Sequence, residues 1–251
     1  MPFSLDTAVK IALAPVLVAQ GIHVRRKALI LPEPPGPRHG QTGNGPPLRL
    51  LILGDSSAAG VGAGHQSTAL SGQLAERLSQ THSLHWRLEA ETGATSASAL
   101  QHLATLPAAP FDIALVVLGV NDITGSVPLS RWLSRRRTLH SRLRNRFEIK
   151  YIIASGLPPM GHFPLLPQPL RWTLGRSAAR FDAALGALCK TEPDTTHLPL
   201  HLPYEPHYVA ADGFHPSEAA YRQWAAMLAQ LIAPPSSCQK YSGGAGAGPR
   251  S

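Results

Sequence analysis

Short apolar runs alternate along this chain with longer stretches of helical period. Residues 48–53 form a largely apolar run, followed by a Gly-rich turn and a helical pattern over 71–80. Residues 84–90 alternate apolar with polar, the period of a strand, and 96–105 return to helical spacing. The run 113–118 (IALVVL) is apolar throughout, which predicts a strand buried on both faces. After it come an Arg-rich helical stretch, a fourth strand at 151–155, a Pro-rich loop, a helix near 171–189 and a weak fifth strand at 197–202. A helix over 217–232 closes the pattern, with Ser217 at its N-cap and Glu218 in its first turn. Five strand–helix cycles predict an α/β fold: a three-layer α/β/α sandwich on about five parallel strands. Sheets of this kind gather their active sites at the carboxyl ends of the strands.

The flanks read differently. Residues 11–21 (IALAPVLVAQG) are apolar, with Lys10 before them and Arg25, Arg26 and Lys27 after. The stretch is short for a bilayer span and Pro15 interrupts it, while Asp6 and the absence of an A-x-A site argue against a signal peptide. The expectation is an N-terminal helix that packs on the domain or touches a membrane surface. Residues 31–47 (LPEPPGPRHGQTGNGPP) read as a Pro/Gly linker, so 1–47 stand apart from a catalytic domain over 48–233. The tail 234–251 has the composition of a disordered terminus.

Hydrophobic residues make up 43% of the 251, which excludes wholesale disorder. The net charge of +8 would suit a nucleic acid or an anionic surface, but seven arginines are concentrated between Arg131 and Arg146. Leu139, Leu143 and Phe147 recur among them at helical spacing, so the expectation is an amphipathic helix with a solvated basic face. No nucleic-acid partner is expected. Cys189 and Cys238 are too few for a disulfide framework; Cys189 reads as a buried thiol. That usage fits a cytoplasmic location, with an uncleaved N-terminal anchor or export as the alternatives.

Four short words carry the chemistry: Gly54-Asp55-Ser56, Gly93 in Glu-Thr-Gly, Gly119-Val120-Asn121-Asp122, and Asp212-Gly213-Phe214-His215-Pro216. A serine hydroxyl needs a base to become a nucleophile, and that base needs a carboxylate to hold its tautomer. Asp212 and His215 are three apart, so one turn lets the carboxylate reach Nδ1 and leaves Nε2 pointing at Ser56. The Ser56 N–H, the Gly93 N–H and the Asn121 amide supply donors for an oxyanion. Ser57 is the rival nucleophile, and Asp55 and Asp122 read as turn residues.

The order Ser56, Gly93, Asn121, His215 resembles the four blocks of the SGNH (GDSL) hydrolases, over roughly residues 48–232. The resemblance implies a flavodoxin-like α/β/α sandwich and a serine ester hydrolase. It also implies Ser56 as nucleophile, Asp212 and His215 as acid and base, and an oxyanion hole from Ser56, Gly93 and Asn121. No metal or organic cofactor is implied. The substrate would be a small-molecule acyl ester of small or medium chain; an acetylated carbohydrate, a thioester or a lysophospholipid would suit the same site. Ser57 replaces the Leu of GDSL, and Glu91 stands where the family often has Asn two residues before the block-two Gly.

The Pro-rich stretch 157–172 should lie at the active edge. It offers Met160, Phe163, Leu166 and Trp172 as an apolar wall for an acyl chain. Sugar recognition would call on Trp172, Tyr204 and Tyr208. His197, His201 and His207 lack metal-ligand spacing and read as ordinary histidines. A non-enzymatic domain bound to a membrane surface through the Arg131–Arg146 helix is the reading of another class.

Overall fold

Continuous burial of Leu50, Leu51, Ile52 and Leu53 gives the sheet its central strand, since a strand covered on both faces has no polar side to show. The computed structural model describes residues 12–203 and 205–232. Its strands are β1 (His39–Thr42), β2 (Pro47–Gly54), β3 (Ser83–Ala90), β4 (Ile113–Val117), β5 (Tyr151–Ser155) and β6 (Thr195–Leu198). Its helices are α1 (Ala14–Lys27), α2 (Ser56–Ala59), α3 (Leu70–Leu78), α4 (Ser96–Thr105), α5 (Val120–Thr124), α6 (Leu129–Phe147), α7 (Leu170–Thr191) and α8 (Glu218–Ile232).

The sheet order is β1-β3-β2-β4-β5-β6. β2 to β6 pair in parallel, and β1 adds to β3 antiparallel. Side chains of β2 point alternately into two layers. Leu48, Leu50 and Ile52 pack with Leu74 of α3 and Tyr221 and Trp224 of α8, while Leu51 and Leu53 pack with Leu103 of α4 and Leu139 and Leu143 of α6. Helix α7 extends the second layer beyond β5 through Phe181 and Leu185. This is the three-layer sandwich expected from the pattern.

Three details differ from the expectation. The segment read as a linker contains β1, a four-residue edge strand whose HGQT sequence has no apolar alternation to betray it. The fifth parallel strand runs Thr195–Leu198, starting two residues and ending four residues earlier than predicted, because the chain leaves the sheet before Leu200. Helix α6 is not basic and solvated throughout. Arg131, Arg137, Arg142 and Arg146 are exposed, but Arg136 is fully buried. It falls on the inward stripe with Trp132, Leu139, His140, Leu143 and Phe147. Its guanidinium stands 5.8 Å from the Trp132 ring, and none of its three nitrogens has a hydrogen-bond partner among the described residues.

Burial pushes the Arg136 pKa down to about 10. The acids that offset this have partners of their own: Asp122 accepts from Ser96, and Glu192 pairs with His140. Removing the arginine therefore leaves Asp122 bonded to Ser96 with Arg135 3.8 Å from its other oxygen, and Glu192 bonded to His140. Arg136→Met is expected to keep the fold, raise the urea midpoint and add roughly 1–4 kcal/mol to the unfolding free energy. A lower midpoint would show that the guanidinium is held by something the packing does not reveal.

Candidate active site

Ser56 opens helix α2 at the carboxyl end of β2, where the turn is fixed from both sides. The Asp55 N–H donates to the Val117 carbonyl of β4 at 3.1 Å, and the Asp55 carboxylate caps α2 by accepting the Ser57 N–H at 3.1 Å. Ser56 Oγ lies 2.9 Å from His215 Nε2. On the other side of the ring, Nδ1 lies 2.5 Å from Asp212 Oδ2. A carboxylate only accepts, so the proton sits on Nδ1 and Nε2 is left to take one from the serine.

Asp212 is nearly enclosed, and burial pushes its carboxyl up. Hydrogen bonds from the His215 ring and from the His215 and Phe214 amides outweigh this and hold it below its ordinary value. The acid therefore stays ionised beside the imidazole. The histidine loop is tied down too: the His215 carbonyl accepts the Ala210 N–H at 2.8 Å, and the Ser217 N–H donates to the Tyr208 carbonyl. Gly62 (φ +101°), from the loop after Ser56, lies against this loop. A Cβ there would stand 2.3 Å from the Pro216 carbonyl oxygen, so only glycine lets the two loops meet. Ser217 heads α8 as expected, 3.4 Å from the Ala220 N–H, and Glu218 accepts from Gly64 N–H and Thr68 Oγ1.

Gly93 follows β3 with φ +84° and is exposed; no atom lies within 4 Å of where its Cβ would be. Its neighbours are all held. Asn121 Nδ2 donates to the Ala94 carbonyl at 3.0 Å, which puts the Asn121 amide beside the Gly93 loop with its second N–H uncommitted by that bond. Asp122 is fully buried and accepts both the N–H and the hydroxyl of Ser96 at 2.9 Å. It therefore ties α5 to the start of α4 across 26 residues, a larger role than the turn cap expected. Ahead of Gly93, Glu33 accepts the N–H and the hydroxyl of Thr92, each at 2.8 Å. Burial pushes the Glu33 carboxyl up, but those bonds and Arg38 outweigh it and hold the pKa below its ordinary value.

A cleft runs from Ser56 and His215 over the ends of β4, β5 and β6. Leu118, Val120, Leu157, Phe163, Leu202 and Phe214 make most of its wall apolar. Phe163 packs edge-on to Phe214 with centroids 4.9 Å apart. The other three residues expected on this wall lie elsewhere. Met160 is fully buried with Trp132 and Phe181, Leu166 is buried, and Trp172 faces solvent beneath the Arg176 guanidinium. Met160, Phe163 and Leu166 come from a loop, whose sequence carries no inside–outside period, and Trp172 from the first turn of α7, too short a piece to show a stripe. Of the aromatic residues considered for sugar binding, Tyr208 lines the cleft and Tyr204 lies outside the described residues. Ser57 also lines it, but the serine paired with the histidine is Ser56. His197 is bonded at 2.8 Å to Asp182, whose same oxygen accepts the Leu157 N–H and so steadies the cleft wall. Cys189 is buried, which pushes its thiol up to about 11; Cys238 lies outside the described residues.

Comparison with known families matches residues 52–223 to the model of the GDSL-like lipase/acylhydrolase family. The chain belongs to that family. As a GDSL-like hydrolase it is an enzyme that cleaves esters through a serine. Among solved structures it is similar to Axe2, an acetylxylan esterase from Geobacillus stearothermophilus, at TM-score 0.58 and 16% identity, over 75% of this chain and 95% of that one. It is also similar to TesA (TM-score 0.54, 20% identity, 74% and 98% of the two chains). A third match is the lipase/acylhydrolase from Enterococcus faecalis (TM-score 0.52, 18% identity, 74% and 95%). At such identities these likenesses show the fold. No curated protein matches the sequence.

Asp55 gives the site a pH signature. Burial pushes its carboxyl up to about 7, with the Ser57 amide and the His215 ring acting against this and the Asp122 carboxylate adding to it. Between its ordinary 3.8 and about 7 the folded state keeps a proton that the unfolded state releases. Its contribution to stability is therefore whole below pH 3.8 and is lost as pH rises toward 7. His140, which burial holds below its ordinary value despite Glu192, contributes the opposite slope, so the readout must be a difference. Urea midpoints from pH 4.5 to 8 should show Asp55→Asn gaining on the wild type as pH rises toward about 7, with a constant gap above. A gap independent of pH would mean that Asp55 ionises normally.

Proposed function

We propose that this GDSL-like hydrolase acts on carboxylic esters of small to medium acyl chains through an acyl-Ser56 intermediate. The observation that carries the reading is the Ser56–His215–Asp212 relay opening directly onto an apolar-walled cleft. His215 takes the Ser56 proton as Oγ attacks the acyl carbonyl, and Asp212 stabilises the imidazolium that results. The Ser56 and Gly93 N–H groups and the Asn121 amide receive the oxyanion. The imidazolium then protonates the departing alcohol, and water, activated by the same ring, releases the acid. No step calls for a metal or an organic cofactor.

The apolar wall favours an acyl chain over a sugar, because a carbohydrate would leave its hydroxyls facing leucine, valine and phenylalanine. Likeness to an acetylxylan esterase at 16% identity does not alter that balance. With a relay intact, the membrane-bound, non-enzymatic reading has nothing in its favour at the site itself. In a p-nitrophenyl ester series from acetate to palmitate, the wild type should turn over short and medium chains best. Ser56→Ala should lose about 10³-fold or more, and an alkyl phosphonate should leave one adduct, on Ser56. Turnover surviving in Ser56→Ala would overturn this assignment. Acyl thioesters and lysophospholipids in the same assay settle the leaving group.

A contact with a membrane surface fits the N-terminal helix. Val16, Val18 and Ile22 of α1, and Leu29 and Ile30 after it, are exposed beside Arg25, Arg26 and Lys27. Apolar side chains with a basic cluster suit the interface of an anionic bilayer. No helix among the described residues is long and apolar enough to cross one. Gln20 of α1 bonds the Gln168 carbonyl and the Leu170 N–H, so the helix is tied to the start of α7. The protein should sediment with phosphatidylserine vesicles at low salt and be released by salt or by Val18→Glu with Ile22→Glu. Equal recovery in the supernatant with and without vesicles would remove this reading.

A further inference from the structure

The strap 31–38, which precedes the family match, touches both halves of the site. Toward the nucleophile, the Pro35 carbonyl accepts the Gln66 N–H at 2.8 Å, and the side-chain amide of the buried Gln66 donates to Ala59, the last residue of α2, at 2.8 Å. Buried Pro34 packs against Gly60, where α2 ends. Toward the oxyanion loop, Glu33 Oε1 holds Thr92 by two hydrogen bonds of 2.8 Å. Glu33 Oε2 accepts from Arg38 Nη1 at 2.8 Å, and Arg38 Nη2 in turn donates to the Ala90 carbonyl, the last residue of β3. The Arg38 carbonyl accepts the Leu88 N–H at 2.7 Å.

Among the described residues the Gly93 N–H makes no hydrogen bond, and the turn around it is closed by the Ala94 N–H on the Glu91 carbonyl at 3.0 Å. The Gly93 peptide plane is set by the residues on either side, Thr92 through Glu33 and Ala94 through Asn121. The N–H of Gly93 belongs to the same peptide unit as the Thr92 carbonyl, so a shift of Thr92 turns that N–H directly. An oxyanion donor works only if it already points at the developing charge, and a small error in aim costs rate rather than ground-state binding.

We infer that Glu33 is a positioning residue for the oxyanion loop: its carboxylate, fixed by Arg38, holds Thr92 and so aims the Gly93 N–H at the carbonyl attacked by Ser56. The inference rests on the proposed role of Gly93 as an oxyanion donor. Charge-assisted bonds to a carboxylate are strong for their kind, and this one is clamped on both oxygens. Because Glu33 is only partly buried and aims a donor without being one, its loss should cost less than the 10²–10³ of a deleted donor.

The test compares Glu33→Ala and Thr92→Val with the wild type in ester hydrolysis, in thermal unfolding, and in inhibition by an alkyl boronic acid that mimics the tetrahedral state. Thr92→Val removes one of the two bonds and leaves the strap and the backbone N–H in place, so it answers even where Glu33→Ala folds poorly. Glu33→Ala should lower kcat about tenfold with KM within about twofold, and weaken the boronate in the same proportion as kcat/KM. Thr92→Val should do the same to a smaller degree, and Glu33→Gln, which keeps an acceptor for Thr92, should recover part of the loss. Unchanged kcat, a loss confined to KM, or a fall in kcat that leaves boronate binding intact would overturn the inference. Wild-type kcat and boronate affinity in Gly93→Pro, which has no N–H to donate, with turnover still dependent on Ser56, would instead remove the donor role on which it rests.

Discussion

The hydrogen bond from His215 to Ser56 joins positions 159 residues apart, and most of the architecture serves to keep its ends in register. Ser56 is placed by a strand that cannot slide: β2 is paired on both sides and buried on both faces. His215 comes from a loop with no strand of its own, so its position depends on what it leans on. Helix α8 packs on α3 and the sheet through Tyr221 and Trp224, and the Tyr221 hydroxyl donates at 2.7 Å to the Val61 carbonyl just after α2. That bond, the contact of Gly62 with Pro216, and Glu218 on Gly64 and Thr68 stitch the serine loop to the histidine helix at three points. A long-range catalytic bond holds its length because short-range packing has already fixed both partners.

The loop around Gly93 is held in a different way, by polar bonds from two separate segments, the strap and α5. Arg38 takes its entry at Ala90, Glu33 takes Thr92, Asn121 takes Ala94 and Asp122 takes Ser96, where Thr95 also caps α4. Among the described residues the Gly93 N–H is left without a hydrogen-bond partner. An unpaired backbone donor at the surface is ordinarily satisfied by water. Here, with its flanks fixed, it is presented to whatever carbonyl approaches Ser56.

How much of this could be read from the sequence depends on how local each signal is. Strands covered on both faces announce themselves as apolar runs, so β2, β4 and β5 were legible, and the three-residue spacing of Asp212 and His215 predicted a bond that the structure contains. Ser56, Gly93 and Asn121 were legible as residues placed just past strand ends. β1 was not, because a short polar edge strand borrows its conformation from β3. Glu33 was not, because its partner lies 59 residues away and nothing in a Pro-rich segment marks one acid as structural. Arg136 misled in the opposite sense: in a helix with seven arginines, the one on the apolar stripe looks like its solvated neighbours until the register is known. Met160 was indistinguishable from Phe163 because an irregular loop has no period by which to sort its faces, and Trp172 because it falls in the first turn of α7, where one turn does not yet define a stripe.

The order of the strands accounts for how these parts meet. From β2 the chain steps to β3 on one side, and then returns across to β4, β5 and β6 on the other, so the connections diverge at the carboxyl end of β2. That divergence opens a crevice, and Ser56 stands at its head. What lies on either side is unlike. The β3 side presents a polar loop with a backbone donor and the Asn121 amide leaning across to it. The β4–β6 side presents leucine, valine and phenylalanine, backed by Asp182 on the Leu157 amide. An ester has the same asymmetry about its carbonyl carbon: an oxygen that gains charge and an alkyl chain that sheds water. Under the proposed function, an ester placed over Ser56 with its oxygen toward Gly93 would lay its chain along the apolar side without turning, and the sheet topology itself would set the direction in which the substrate is bound.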